Sequence, residues 1–136
     1  MNVFLDLNIV LDFLLQRSPW NAEADVIWEA NRDGRINAAM SSAALPTIFY
    51  IIRRTADWDV ARDAIDDCLL SLEILSVDLA IVNSAQSFSG RDFEDNLQAA
   101  CAIEHGCDVL VTRDGNGFLG LPIEVVTPSE LLARLP

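Results

Sequence analysis

Four aspartates stand where apolar runs of this chain give way to helical segments: Asp6, Asp92, Asp95 and Asp114. Asp6 and Asp114 each end an apolar run, and the other two open an amphipathic segment over residues 93–104. If both runs are parallel strands, their carboxyl ends lie at one edge of the sheet, where open α/β folds bind ligands. Carboxylates gathered there repel one another, and hard cations such as Mg²⁺ prefer oxygen ligands. The pattern therefore suggests a hydrolase that uses a metal ion.

Each acid also has a structural explanation when it is taken alone. Asp6 and Asn8 suit the N-cap of the helix after the first strand, because both residue types accept hydrogen bonds from free helix amides. Asp92, Glu94 and Asp95 lie in the first turn of a helix, where the macrodipole favours each negative charge by about 0.3 to 1 kcal/mol. At a spacing of three, Asp92 and Asp95 share a helix face, and Glu94 is expected to point elsewhere. Asp95, at the rim of the apolar face, is therefore a stronger candidate ligand than Asp92.

Asp114 precedes a glycine-rich turn, residues 115–117, which would let the backbone pass close to a bound group. An ordinary surface turn is the alternative interpretation. Arg113, next to Asp114, is the nearest basic residue that could contact a phosphate. His105 lies at the end of a helix before Gly106, and we expect it to serve that helix terminus rather than catalysis.

Length and composition predict one globular domain over residues 1–136, located in the cytoplasm. Domains commonly contain about 100 to 150 residues, and 51% of this chain is hydrophobic. No apolar run approaches the roughly 20 residues that a membrane span requires, and the chain opens without the basic region of a signal peptide. The three cysteines, an odd number without the paired spacing of a zinc site, predict reduced thiols.

The charge of the chain limits the ways in which it can contact nucleic acid. The formal net charge is −12, and all nine basic residues are arginines. Duplex DNA binding through phosphate neutralisation requires a basic stripe, so a non-specific DNA-binding module is disfavoured. The acidic composition argues less strongly against a nuclease, because divalent ions and a few arginines can bridge to the phosphates. The alternative is that the acidity serves solubility or a basic protein partner.

Apolar runs alternate with segments of helical period, as in βαβ units around a parallel sheet. The predicted strands cover residues 3–5, 36–40, 73–77, 109–111 and 123–125. The predicted helices cover residues 9–15, 21–31, 45–54, 60–70, 79–87, 93–104 and 129–135. Asp78, Asp92 and Thr127 are predicted N-caps, and Gly106 is predicted to end a helix. Together these elements predict an α/β fold.

Four short motifs and the C-terminal segment resemble those of PIN domains, the family that includes the VapC-type toxins of bacterial toxin–antitoxin pairs. Residues 4–12, which read Phe-Leu-Asp-Leu-Asn-Ile-Val-Leu-Asp, are similar to the first acidic motif of the family. Residues 41–50, 92–100 and 111–118 resemble the second, third and fourth motifs, and residues 127–132 resemble a common family ending. The resemblance thus extends over nearly the whole chain.

The resemblance implies a three-layer α/β/α fold with a central parallel sheet of about five strands. It also implies hydrolysis of RNA phosphodiesters by a water that Mg²⁺ or Mn²⁺ activates. No other cofactor is implied, and Asp92 or Asp95 could instead act as a general base through a water. The predicted catalytic and metal-binding acids are Asp6, Asp95 and Asp114, with Asp92 as a further ligand, and the predicted supporting residues are Asn8, Thr112, Arg113 and Asn116.

Two positions depart from the family pattern. Thr47 stands where many relatives have a glutamate in the second motif, and Asn116 or Gly117 stands where many have an aspartate after the fourth acid. Fewer carboxylates weaken metal binding, so these departures point to a single metal site or to low activity. The leading interpretation is a Mg²⁺-dependent endoribonuclease that forms a homodimer and is inhibited by a small antitoxin protein. The alternative is a catalytically weakened PIN domain that binds nucleic acid or protein.

Two further observations concern another fold class and the assembly. A receiver-like phosphate-binding domain would share an acidic cleft on a parallel sheet, but such a site generally uses a lysine, and this chain has none. The predicted helix over residues 46–54 is apolar nearly all round, so it lies either in the core or at an interface.

Overall fold

The computed structural model describes residues 1–135, which form one sheet of five parallel strands. The strands are β1 (Asn2–Leu5), β2 (Asn37–Ser41), β3 (Glu73–Leu75), β4 (Val109–Val111) and β5 (Glu124–Val126). Their order across the sheet is β3-β2-β1-β4-β5, so β1 is central. The apolar residues of β1 and all of β4 are buried, because helices cover both faces of a parallel sheet.

Seven α-helices lie on the two faces of this sheet within the described residues. They are α1 (Leu7–Leu14), α2 (Asn21–Arg32), α3 (Leu45–Thr55), α4 (Trp58–Ser71), α5 (Leu79–Ser87), α6 (Phe93–Glu104) and α7 (Pro128–Arg134). Short 3₁₀-helices follow β2 at Ser42–Ala44 and β4 at Gly115–Phe118. None of the helices in residues 1–135 has the length and apolarity needed to cross a bilayer.

Alternate residues of β1 belong to two separate hydrophobic cores. Val3 and Leu5 face the core formed with α1, α2, α3, α4 and α7, whereas Phe4 faces the core formed with α5 and α6. A shift of one residue in the register of β1 would exchange these faces, so the pairing is strongly specified. Helices on both faces give the three-layer α/β/α arrangement that the family resemblance implied.

α3 is core on one side and open surface on the other. Ile48 and Ile52 are buried in the first of the two cores. Tyr50, on another face of the helix, is 51% exposed. The apolar character of this helix is therefore only partly explained by the core.

Four predicted helix ends are confirmed. Asp78 and Asp92 cap α5 and α6, each through a carboxylate oxygen that accepts from a backbone amide. Thr127 opens α7 and forms a reciprocal capping box with Glu130. Gly106 follows the end of α6 with a φ of 71°, the left-handed region that glycine adopts readily.

The predicted boundaries lie within two residues of the observed ones. The helix predicted from residue 60 begins earlier, at Trp58, because Asp57 caps it there. The strand predicted to end at residue 77 ends at Leu75, because Leu75 pairs with Ser41, the last residue of the neighbouring strand. These differences follow from caps and strand partners, which period alone does not reveal.

Candidate active site

The carboxyl ends of β1 and β4 meet because the two strands are parallel neighbours, with Leu5 opposite Val111. Asp6 and Thr112 therefore leave the sheet side by side, and the Asp6 amide donates to the Val111 carbonyl at 3.0 Å. The Thr112 hydroxyl donates to Oδ2 of Asp6 at 2.7 Å. Both residues are buried. Asp6 is thus a fixed carboxylate at the sheet edge.

Gln98 of α6 holds the other oxygen of Asp6. Its Nε2 donates to Asp6 Oδ1 at 2.9 Å, and its Oε1 accepts from the Leu7 amide at 2.8 Å. Among residues 1–135, the Asp6 side chain makes no capping hydrogen bond, although Asp6 occupies the N-cap position of α1. The capping interpretation of Asp6 is therefore wrong. Sequence reasoning missed Gln98, whose only signal was a polar residue between Leu97 and Ala99 on the buried side of α6.

Asp95 is half-buried in the first turn of α6 and faces several other carboxylates. Burial, followed by the charges of Asp92, Asp6, Glu94 and Asp114, raises the pKa of Asp95 to about 6. The Asp92 carboxylate also accepts from the Asp95 amide at 3.0 Å, so it caps the helix as well. The four predicted acids thus lie close enough together for the charges of the other three to raise the pKa of Asp95.

Glu94 belongs to the same group, contrary to expectation. Partial burial and the charges of Asp92 and Asp6 raise the pKa of Glu94. One helical turn separates Glu94 from Gln98, so the two share the face that meets Asp6. The prediction that Glu94 points elsewhere was wrong because it considered only the face that Asp92 shares with Asp95. We refer to Asp6, Asp92, Glu94, Asp95 and Asp114 as the acidic cluster.

The turn after Asp114 is a short 3₁₀-helix that brings Gly117 against Asp95. Oδ1 of Asp114 accepts from the Asn116 amide at 3.1 Å and caps this helix. A Cβ added at Gly117 would overlap the Asp95 carboxylate. The glycine turn therefore lets the backbone pass close to one of the candidate ligands, and a side chain at Gly117 would require the Asp95 carboxylate to shift.

Arg113 is held by a buried acid. Its Nε and Nη2 donate to the two carboxylate oxygens of Asp12 at 2.7 and 3.1 Å. Its guanidinium carbon lies 4.0 Å from the ring centroid of Trp20. Arg113 thus anchors the segment that carries Asp114, and the phosphate contact predicted for Arg113 stays a prediction.

The other predicted residues lie around the acidic cluster. Asn8 is exposed on the first turn of α1, and Asn116 is exposed on the 3₁₀-helix. Thr47, which replaces the expected glutamate, is half-buried in the first turn of α3. His105 is the C-cap residue of α6, and its Nε2 lies 2.8 Å from the carbonyl oxygen of Ser76, which precedes α5, so the helix-terminus role expected for its side chain stays a prediction.

The donor atoms of the acidic cluster suit a hard divalent cation. All of them are carboxylate oxygens, and a cation would relieve the mutual repulsion that contributes to the raised pKa of Asp95. Over residues 1–135, no three acidic, histidine or cysteine side chains converge closely enough to coordinate one ion as they stand. The donor chemistry therefore fits Mg²⁺ or Mn²⁺, and Asp114 is an exposed member of the cluster.

The chain belongs to the PIN domain family, whose sequence profile matches residues 2–116. The matched segment contains the whole acidic cluster, together with Thr112 and Gln98. The family predicted from the motifs is therefore confirmed. No protein with a curated description matches the chain.

Solved structures of toxin–antitoxin systems share the fold. DNA-bound VapBC from Salmonella typhimurium has a TM-score of 0.72 at 16% identity, covering 94% of this chain and 98% of that chain. A toxin–antitoxin complex from Klebsiella pneumoniae has a TM-score of 0.67 at 23% identity, covering 93% and 97%. VapC20 from Mycobacterium tuberculosis, a sarcin-ricin loop cleaving toxin, has a TM-score of 0.68 at 14% identity, covering 84% and 91%. These likenesses confirm the predicted architecture.

Proposed function

We propose that this protein is a metal-dependent endoribonuclease and the toxin half of a toxin–antitoxin pair. The observation that carries the proposal is the acidic cluster at the joined ends of β1 and β4, where Thr112 and Gln98 fix Asp6. Membership of the PIN domain family supports nuclease activity. The fold shared with the Mycobacterium tuberculosis toxin that cleaves the sarcin-ricin loop supports RNA as the substrate.

In this proposal the acidic cluster holds Mg²⁺ or Mn²⁺. Asp6, Asp95 and Asp114 are the proposed ligands, with Asp92 as a further one. The bound ion would lower the pKa of a water and neutralise charge that develops on the phosphate oxygens. Glu94, which the sequence analysis did not propose as a ligand, is an additional candidate ligand, because burial and the charges of Asp92 and Asp6 raise its pKa.

The protein's own residues orient the acids and accept the proton of the attacking water. Thr112 and Gln98 each donate one hydrogen bond to Asp6, which fixes its carboxylate plane and leaves the other lone pairs for a ligand. Asp92 or Asp95 is the alternative proton acceptor, since whichever of the two does not ligate the ion could act as a general base through a water. Gly117 leaves room for the Asp95 carboxylate, because a Cβ at that position would overlap it.

A small antitoxin protein and a second copy of this chain are the proposed partners. The Salmonella typhimurium and Klebsiella pneumoniae structures, which share the fold, support the antitoxin. Leu70 and Leu79, 86% and 73% exposed, offer apolar surface for a homodimer. A monomer at micromolar concentration in sizing with light scattering would contradict the dimer. The proposed location is the cytoplasm, where an RNA target and an antitoxin are both within reach.

The direct test is cleavage of a panel of fluorescent RNA and DNA by purified protein free of antitoxin. We expect RNA cleavage with Mg²⁺ or Mn²⁺ and none with EDTA. The cleavage rate of Asp6→Asn is expected to be about 100-fold or more below that of wild type. Metal-centred charge stabilisation contributes several kcal/mol, and each 1.4 kcal/mol or so changes a rate tenfold. Asp66→Asn, at an exposed aspartate of α4, is the matched control. A folded sample without metal-dependent RNA cleavage would contradict the proposal.

A catalytically weakened PIN domain that binds nucleic acid or protein is the second candidate. Thr47, half-buried where many relatives have a glutamate, favours it, as does the open ligand set within residues 1–135. Thr47→Glu separates the two candidates. In a weakened domain the new carboxylate is expected to raise metal-dependent cleavage from none to a measurable rate, whereas an active enzyme would change little.

A further inference from the structure

A second group of side chains adjoins the acidic cluster and has no part in the function proposed above. Trp20, at the N-cap of α2, is 43% exposed although it is a large apolar side chain. The guanidinium carbon of Arg113 lies 4.0 Å from the centroid of its ring. Arg113 directly precedes Asp114 in the chain, so it connects the ring to the segment that carries one acid of the cluster.

One buried carboxylate near Trp20 is shared by two arginines. Asp12, which is buried, accepts hydrogen bonds from Arg113 at 2.7 and 3.1 Å and from Arg17 at 2.9 Å. One carboxylate therefore faces two guanidinium groups, which leaves one excess positive charge in a chain of net charge −12. The side chains of Arg17 and Arg113 are 32% and 27% exposed, so this charge reaches the surface.

The backbone that carries Trp20 is fixed by its neighbours. Gln16 has a φ of 49°, and its side-chain amide donates to Asp25 at 2.8 Å. The Asn21 amide donates to the Arg17 carbonyl at 2.8 Å, which ties the chain together across Trp20. An aromatic ring in such a segment keeps its orientation without a ligand, and a preorganised ring loses less entropy on binding.

A fixed aromatic ring beside exposed cationic groups is the combination found where proteins bind single-stranded nucleic acid. Bases stack on the aromatic face, and the cations attract the phosphate backbone. Arg113 lies over one face of the Trp20 ring, and the residue is 43% exposed, so part of it is accessible to a planar group. A base there would belong to a nucleotide next to the phosphate that reaches the acidic cluster.

We propose that Trp20 stacks against one nucleobase of a single-stranded RNA substrate, while Arg17 and Arg113 attract the backbone of the same strand. This inference rests on the proposed ribonuclease function and adds a base-binding residue to it. Trp20 is a substrate-binding residue in this proposal, so it acts on KM more than on kcat.

The first measurement compares wild-type protein with Trp20→Ala and Trp20→Phe on a short single-stranded RNA. Loss of one stacked base weakens binding about 10- to 100-fold, so Trp20→Ala is expected to raise KM by that factor and to leave kcat nearly unchanged. Trp20→Phe keeps an aromatic face and is expected to recover most of the loss. Trp58→Ala is the matched control, because Trp58 is also exposed and stacks on an arginine, Arg53, at 4.6 Å.

The second measurement changes the RNA first and the protein only afterwards. Substrates with a single abasic nucleotide are compared with the intact RNA, position by position, on wild-type protein. At one position the missing base is expected to raise KM by the same factor as Trp20→Ala, and the two changes combined are expected to have no larger effect than either alone.

The outcomes separate this inference from the function on which it rests. Wild-type protein that neither binds nor cleaves RNA would overturn both. A protein that cleaves RNA with the same KM in Trp20→Ala, or without a sensitive abasic position, would overturn the stacking role alone. A Trp20→Ala protein that cleaves normally but no longer binds its antitoxin would assign Trp20 to a protein interface and would also overturn it.

Discussion

The Thr112 hydroxyl donates a hydrogen bond of 2.7 Å to Oδ2 of Asp6, across 106 positions of the chain. Gln98 donates to the other carboxylate oxygen at 2.9 Å. The ends of β1 and β4 and the middle of α6 therefore fix a single side chain. Fixed orientation matters for a candidate ligand, because hydrogen bonds to a ligating carboxylate set the direction of its remaining lone pairs.

Replacing Thr112 by valine removes this hydroxyl and keeps the shape of the side chain. We expect RNA cleavage to fall about 10- to 100-fold, the usual effect of losing a hydrogen bond to a metal-binding residue. Thr112→Ser keeps a hydroxyl and is expected to retain most of the activity. Steady-state cleavage with Mn²⁺ measures the difference, and melting temperatures verify folding. Equal activity of the two variants would contradict the role given to this hydrogen bond.

Gly117→Ala tests the contact between the 3₁₀-helix and Asp95. The added Cβ would overlap the Asp95 carboxylate and displace it, so cleavage is expected to fall about 100-fold, as for other misplacements of about 1 Å. Gly115→Ala is the matched control, because its Cβ would meet only Val125, at an ordinary 3.8 Å. If the two alanine variants cleave RNA equally well, the position of Asp95 is not critical.

The stability of the metal-free protein is expected to depend on pH through Asp95. Burial and neighbouring carboxylates raise the pKa of Asp95 from 3.8 to about 6 in the folded state. The folded state thus holds this proton more tightly, so the stabilisation from the proton is complete below pH 3.8 and is lost as the pH rises through about 6. Urea unfolding in EDTA, from about pH 4 to 7, measures the free energies of unfolding of wild type and Asp95→Asn. The difference between the two is expected to fall as the pH rises. A difference that does not fall with rising pH would contradict the raised pKa.

Asp12→Asn removes the counter-charge of two arginines. We expect the free energy of unfolding to fall by about 2 to 3 kcal/mol, because hydrogen bonds to charged groups contribute about 1.5 to 3 kcal/mol. Glu29→Gln is the control, since Glu29 forms an exposed pair with Arg32 at 3.5 Å. That change is expected to cost at most about 1 kcal/mol. Equal effects in urea unfolding would show that the burial of Asp12 adds nothing.

The three cysteines are expected to resist alkylation in the folded protein. Burial raises the pKa values of Cys68, Cys101 and Cys107 to about 11 each, so little thiolate forms near neutral pH. Mass spectrometry after iodoacetamide treatment measures the rates in native and urea-unfolded protein. Cys107, which is partly exposed, is expected to react first. Fast native modification of Cys68 would contradict its burial.

Much of the fold could be predicted because it depends on short segments. The run over residues 109–111 is apolar throughout, and Asp92 caps the helix that it precedes. Strand direction then places Asp6 and Asp114 at one edge, because the carboxyl ends of parallel strands face the same way. Local pattern and topology were therefore sufficient to place Asp6 and Asp114 together at this edge.

The contacts that complete the site could not be predicted in this way. Gln98 meets Asp6 across 92 positions, and Arg113 meets Asp12 across 101. Neither pair leaves a periodic signal, because each depends on how separate elements pack. Glu94 was assigned to the wrong side for the same reason, since the acid that it faces lies on another element. Side-chain partners distant in sequence are thus what the structure adds.

The strand order has a consequence for the synthesis of the protein. β1 is the central strand and is translated first, whereas β4, which pairs beside it, is translated only after about a hundred further residues. A chain interrupted before residue 98 contains Asp6 but lacks both Gln98 and Thr112, which hold that carboxylate. Incomplete translation products therefore cannot assemble the acidic cluster. A nuclease built on this strand order would become active only when the ribosome has nearly finished the domain, and aborted chains would leave the surrounding RNA intact.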